Sequence, residues 1–252
     1  MHPYNLGFIS DEDLFLHVKE TVEKYRFTID LKAFNKNLID PIKLTFDSKI
    51  YSKSLEETIE LEIIRQMDKS NTNHIGYFHQ YIFKYMDGEW AVPRQGFDLI
   101  NEKQKIYVEM KNKHNTMNSS SAQKTYIAMQ NQILKGADVT CMLVEVIAKQ
   151  SQNIPWKISI NREQYAHDNI RRVSMDKFYE IVTGSTVAFR DLCEALPHVL
   201  DDVIATLEQE TVKNTVFGEL SQISPNLLKS LYLLSFSKYE GFDNLTISNS
   251  IS

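Results

Sequence analysis

Apolar residues recur along this chain with two different periods, and the change from one to the other organises it. Ser10 followed by Asp11-Glu12-Asp13 has the form of a helix N-cap with acids in the first turn. Leu14, Val18 and Val22 then share one face of a helix predicted from Asp11 to about Tyr25. Residues 41–53 show no clear period and read as irregular. Ser54-Leu55-Glu56-Glu57 is a capping box, and Leu55, Ile59, Ile63 and Met67 follow at helical spacing. A separate helix is predicted from Ile75 to Met86, closed by the turn Asp87-Gly88.

The period then falls to two. Gly96–Ile100 and Lys105–Lys111 are short runs rich in β-branched and aromatic residues, split by the polar Asn101-Glu102-Lys103-Gln104, which predicts a hairpin. In the second run Ile106, Val108 and Met110 alternate with Lys105, Tyr107, Glu109 and Lys111, the pattern of a strand with one buried face. Ser119–Ser121 cap a helix expected to reach about Leu134, where Lys135-Gly136 stops it. Val139–Ala148 is almost continuously apolar and reads as a buried central strand, reached by a right-handed crossover. Two shorter strands are expected at Trp156–Ile160 and Asn169–Val173. Two or three helices follow over 174–238, the longest kinked at Pro197, and then a frayed tail over 246–252.

Composition bounds the class. The 252 residues suit one large domain or two small ones, with 42% hydrophobic and 24% charged residues, as in an ordinary folded chain. We take 1–252 as a single domain, with its core at about 54–150 and a helical C-terminal elaboration at about 174–240. Cys141 and Cys193 both sit in apolar runs without metal-type spacing, so both are expected to be buried thiols in a reducing compartment. The sequence shows neither a signal-peptide pattern nor an apolar run of the roughly 18 residues a membrane span needs, which points to a soluble, cytoplasmic protein. A zinc site is not expected, since His17, His167 and His198 are scattered. A small-molecule enzyme is disfavoured by the lack of a Gly-rich phosphate loop, nucleophile motif or cofactor fingerprint.

Charge alters this picture. The net charge of −5 argues against a generally basic nucleic-acid binder. Yet residues 103–135 hold six lysines and one acid, a local +5, which leaves −10 on the rest. Residues 191–210 hold six acids and no Lys or Arg, a solvated acidic face.

The chemistry concentrates in the basic stretch. Antiparallel pairing brings Asp98, at the start of the first hairpin strand, beside Glu109 and Lys111 at the end of the second. Two carboxylates held close repel each other, and a Mg²⁺ between them removes that cost, with the Met110 carbonyl as a third oxygen ligand. Lys111 can then act on a water or a phosphate. The following loop, Lys111 to Ser121, is made of amides, hydroxyls and bases suited to phosphates and base edges. Its candidates for DNA contact are Lys113, His114, Asn115, Asn118 and Ser119, with Gln123 and Lys124 beyond it. An exposed strand with alternating charges and a plain polar loop would share this composition. The hairpin context, the apolar strand after the crossover and the local charge favour a site.

Phe97-Asp98, Val108–Ser121 with its Glu109-Met110-Lys111, and Ile75–Gln80 together resemble the type II restriction endonucleases that recognise GGNCC, within the PD-(D/E)XK nuclease superfamily. Leu6–Ile9 and Glu62–Lys69 are similar too, so the resemblance covers most of the chain to about residue 150. Phe97 stands where the superfamily name has proline. The resemblance implies an α/β fold, a mixed central sheet flanked by helices, with extra N- and C-terminal helices. It assigns Asp98 and Glu109 as metal-binding acids and Lys111 as the catalytic lysine. Glu62 is a further catalytic candidate, with Glu56, Glu57 and Glu60 as competitors and a solvated helix face as the plainer explanation. His79 is expected to be packed and hydrogen-bonded, with Gln80 toward the site. The activity implied is Mg²⁺-dependent hydrolysis of both strands of double-stranded DNA at a short palindrome, leaving 5′-phosphates. A homodimer would perform it, with a cytosine methyltransferase encoded nearby. Arg94, Arg162, Arg171 and Arg172 are available for guanines. A structure-specific repair or recombination nuclease and a non-catalytic DNA-binding module are the alternatives.

Overall fold

The computed structural model describes residues 3–25, 28–114, 116–136, 138–207, 213–239, 242 and 245–247. In chain order its elements are α1 (Asp11–Val22), β1 (Thr28–Ile29), α2 (Leu31–Asn35), α3 (Pro41–Ile50) and α4 (Leu55–Tyr81). A 3-10 turn at Ile82–Tyr85 leads to β2 (Leu99–Asn101), β3 (Ile106–Lys113), α5 (Ser119–Ile133) and β4 (Thr140–Ile147). Next come β5 (Asn153–Pro155), β6 (Ile158–Ile160), β7 (Glu163–Tyr165), β8 (Ile170–Ser174), α6 (Met175–Thr183) and α7 (Ala188–Ile204). β9 (Lys213–Asn214), α8 (Val216–Ile223) and α9 (Leu227–Phe236) complete the described chain. Among the described residues no helix is long and apolar enough to cross a membrane.

The chain divides into two compact units. One comprises residues 1–23 and 74–208, the other residues 24–73 and 209–252. The first holds a mixed five-stranded sheet in the order β2-β3-β4-β8-β5, with β3, β4 and β8 parallel and the short outer strands antiparallel. Alternation sorts the sheet's side chains into two layers. Ile106, Val108, Met110, Met142, Val144 and Val173 face a core completed by α1, α6 and α7 through Leu14, Val18, Phe178, Tyr179, Leu192, Val199 and Val203. The opposite face carries Tyr107, Cys141, Leu143 and Ile170, covered by Tyr126 and Met129 of α5 and by Trp156. The mixed sheet between helical layers is the one the resemblance implies.

The second unit has its own core, built from Ile29, Phe34, Leu44, Leu55, Ile59, Ile63, Val216, Leu220, Leu228 and Leu231.

Several elements differ from the pattern-based expectation. Residues 41–50 form α3, started by Pro41 at the first helical position, where its missing N–H costs nothing, and by the Asp40 carboxylate on the Ile42 and Lys43 amides. It escaped the pattern because Ile42, Phe46 and Ile50 lie on its exposed face while Pro41, Leu44 and Ser48 are buried. The two helices expected between 54 and 86 are one, α4. The polar run 68–74 interrupts the hydrophobic period but contains neither Gly nor Pro to break the backbone. The cap of α5 is Asn118, whose Oδ1 accepts the Ser121 amide, and Ser119–Ser121 are its first turn. The strand expected at Trp156–Ile160 is β6, with the unexpected short strands β5 before it and β7 after it, and among the described residues four helices follow residue 174. Cys141 is buried as expected, whereas Cys193 is exposed.

Candidate active site

β3 outruns its partner. β2 pairs with it only from Ile106 to Val108, in the register Leu99↔Val108, so beyond Val108 the amides on that side have no strand to bond. Asp98, one residue before β2, supplies the acceptor: its Oδ2 takes the Met110 N–H at 2.7 Å. This holds the Asp98 carboxylate at the stretch of β3 that carries Glu109 and Lys111. Those two share a face, and the Lys111 ammonium donates to Glu109 Oε1 at 2.6 Å, with both side chains partly exposed. The carboxyl of Glu109 is pushed above its ordinary range, first by burial and then by the like charge of Asp98, with Lys111 pulling the other way. Asp98, Glu109 and Lys111 therefore gather as the hairpin predicted.

The same face carries a group that the sequence reading left unremarked. Lys111 lies in register with Glu145 of β4, and Leu143 with both Glu109 and Arg172, so Glu109, Lys111, Glu145 and Arg172 all face one way. Glu145 is 1% exposed. Its Oε1 accepts from Arg172 Nε at 3.0 Å and from Arg172 Nη2, while its Oε2 lies 3.0 Å from His114 Nδ1. Burial pushes this carboxyl up, but the hydrogen bonds from Arg172 and His114 outweigh it and hold the group below its usual range. The signal was present in the sequence as the single acid inside the apolar run Val139–Ala148. A charge at that place needs a partner.

The remaining expected residues divide. Glu62 lies in the other unit, and both its oxygens are engaged: Oε2 accepts from Arg65 Nε at 2.7 Å, and Oε1 from Arg65 Nη2 and Gln66 Nε2 at 2.6 and 3.0 Å. Burial opposes its charge, but these bonds prevail and lower its pKa. The structure thus gives Glu62 local partners on its own helix. Lys113, Asn118, Ser119 and Lys124 are exposed, and Gln123 reaches the Ser159 carbonyl at 3.4 Å. Asn118 is committed to its cap and His114 to Glu145. Asn115 lies outside the described residues. His79 is packed as expected, but its buried Nδ1 has no hydrogen bond among the described residues, and burial lowers its pKa to about 4.

The local +5 is not one patch. Lys105 precedes β3 and its carbonyl accepts the Thr140 amide at the start of β4, while Lys111 and Lys113 end β3. Lys105 and Lys111 are six residue steps apart along the strand, about 20 Å. Lys103 and Lys135 lie toward the Lys105 end, and Lys103 pairs with Glu89 at 3.3 Å. Only Lys111, Lys113 and Lys124 belong to the end that carries the acids. Among the arginines, Arg171 is bonded to Asn153 and the Asp168 carbonyl, and Arg172 to Glu145.

A mixed sheet that sets an acid at a hairpin mouth beside Glu-x-Lys on the next strand defines a PD-(D/E)XK nuclease core. The chain belongs to the Eco47II restriction endonuclease family, whose model matches residues 6–205. It is 33% identical over 230 residues to the type II restriction enzyme Sau96I of Staphylococcus aureus, covering 86% of this chain and 88% of that one. It is 32% identical over 212 residues to the type II restriction enzyme Eco47II of Escherichia coli, covering 79% and 88% respectively.

Proposed function

We propose that this protein, a site-specific restriction endonuclease by family, uses Mg²⁺ to hydrolyse both strands of double-stranded DNA at GGNCC, leaving 5′-phosphates. One observation carries the catalytic part of this reading: Asp98 is bonded to the Met110 amide, between Glu109 and Lys111.

The donor set fits a hard cation. Asp98 and Glu109 offer carboxylate oxygens, and a strand residue's N–H and C=O point to the same neighbour, so the Met110 carbonyl opens on the Asp98 side. Among the described residues no three His, Cys, Asp or Glu side chains gather to hold an ion, so the other ligands would be that carbonyl, water and phosphate oxygens. Asp98, Glu109 and Met110 would hold Mg²⁺, and the chemistry supplied there is a more acidic bound water and neutralisation of phosphate charge. Lys111, held by Glu109, directs its remaining N–H groups at a phosphate oxygen or an attacking water. The water's oxygen forms the new bond to phosphorus as the bond to the 3′-oxygen breaks, which leaves the phosphate on the 5′ end.

A palindromic target calls for two identical subunits, each reading one half-site, so the acting form is a homodimer. A cytosine methyltransferase encoded nearby would protect the host's own sites.

Incubating a long phage duplex with the protein, with Mg²⁺ or with EDTA, and sequencing the ends tests this reading. Discrete fragments with 5′-phosphates at GGNCC, absent in EDTA, are expected. A smear, or cutting set by DNA structure, would favour the repair-nuclease alternative.

A further inference from the structure

β6 and β7 form a two-residue hairpin in the register Ile160↔Glu163, with Asn161 and Arg162 at its tip, both at positive φ, +53° and +72°. This is the I′ arrangement, whose second position strongly favours glycine because a Cβ is strained there. Arginine at that position costs stability. Nothing local offsets the cost: Arg162 is exposed and has no hydrogen bond or ion pair among the described residues. A rule broken without a structural return points to a functional site.

The body of the hairpin is fixed. Ile158, Ile160 and Tyr165 join the apolar cluster of Phe97, Tyr107, Met117 and Ala122, and the Ser159 carbonyl accepts from Gln123 of α5. Tyr107 shares its sheet face with Glu109 and Lys111, so the hairpin packs on the layer that carries the catalytic groups. Phe97, in the same cluster, is the residue before Asp98.

We infer that the β6–β7 hairpin is a DNA-reading ribbon whose Arg162 contacts a base edge in the major groove, an inference that rests on the nuclease reading above. A two-stranded ribbon fits that groove, and the guanidinium matches the O6 and N7 of guanine. The neighbouring chemistry separates base reading from phosphate clamping. A clamp needs donors only, whereas Asn161 offers a donor and an acceptor, and the exposed Glu163 carries a negative charge.

The test compares the wild-type protein with Arg162→Gly, the residue the turn itself favours. The variant is expected to melt at the same temperature or higher, yet to lose about ten- to a hundredfold of its preference for cognate over random duplex, and cleavage with it. Cleavage and preference equal to wild type would overturn the inference. So would an equal loss of cognate and random binding with the salt slope reduced by about one, which marks a phosphate contact. A wild-type protein that cuts no duplex would overturn the nuclease reading first, and this inference with it.

Discussion

Asp98 Oδ2 and the Met110 amide nitrogen stand 2.7 Å apart, so the acid at the hairpin mouth is at once a structural acceptor and half of a carboxylate pair. The two duties separate on substitution. Asp98→Asn keeps an oxygen for the Met110 N–H and should fold with little loss, but remove metal-dependent cleavage. Asp98→Ala leaves a partly buried amide unsatisfied and should cost a further ~1–3 kcal/mol. Denaturant melts beside cleavage assays check both.

Glu109 supplies a pH dependence. Its pKa is raised in the folded protein, so its ionised form opposes folding, and stability falls as pH rises from the unfolded value of 4.5 through the raised one. Glu109→Gln should therefore raise the metal-free melting temperature at pH 7 while abolishing cleavage. In the wild-type protein, activity should fail on acidification at a pH above 4.5, because the metal must displace a proton from this group. A pH–rate profile at subsaturating metal reads that limb, which should move to lower pH as the metal concentration is raised.

Glu145 balances Arg172 in a nearly closed setting, so removing Glu145 leaves the guanidinium without its carboxylate. Glu145→Ala should cost on the order of 3 kcal/mol. The double substitution Glu145→Leu with Arg172→Leu should recover most of it. Because the Glu145 pKa is lowered, its contribution is present above pH 4.5 and disappears as pH falls through the lowered value. Equilibrium melts of the wild-type protein and the two variants at pH 7 and at acid pH measure this.

The split of positive charge across β3 predicts unequal lysines. Lys113→Gln and Lys124→Gln should each weaken DNA binding and lower the salt slope by about one. Lys103→Gln and Lys135→Gln, toward the other end, should change neither. Binding titrations at several salt concentrations distinguish the pairs.

Short-range patterns were readable in advance where periodicity and turn chemistry act locally. The alternation from Ile106 to Lys111, with its four-residue turn, placed the hairpin and so brought Asp98, Glu109 and Lys111 together. What escaped depended on partners distant in sequence. A net charge over 103–135 treats neighbours in the chain as neighbours in space, but a strand carries Lys105 and Lys111 to opposite ends of a sheet. Glu145 looked like one more member of a buried strand until β8 placed Arg172 across from it. Helix α3 was hidden because its buried face is Pro41, Leu44 and Ser48 while larger apolar residues face outward, and α4 because a polar stretch mimics a break. Glu62 was selected by motif placement alone, and its oxygens serve Arg65 and Gln66.

The central claim is that the hairpin end is a catalytic centre, and Lys111→Ala tests it most directly because the substitution leaves the backbone pairing of β3 in place and removes an ammonium bonded to Glu109. Cleavage of a GGNCC-containing duplex under single-turnover conditions should fall by about a hundredfold or more, with the binding affinity for the same duplex nearly unchanged. Cleavage at the wild-type rate by Lys111→Ala would contradict the account.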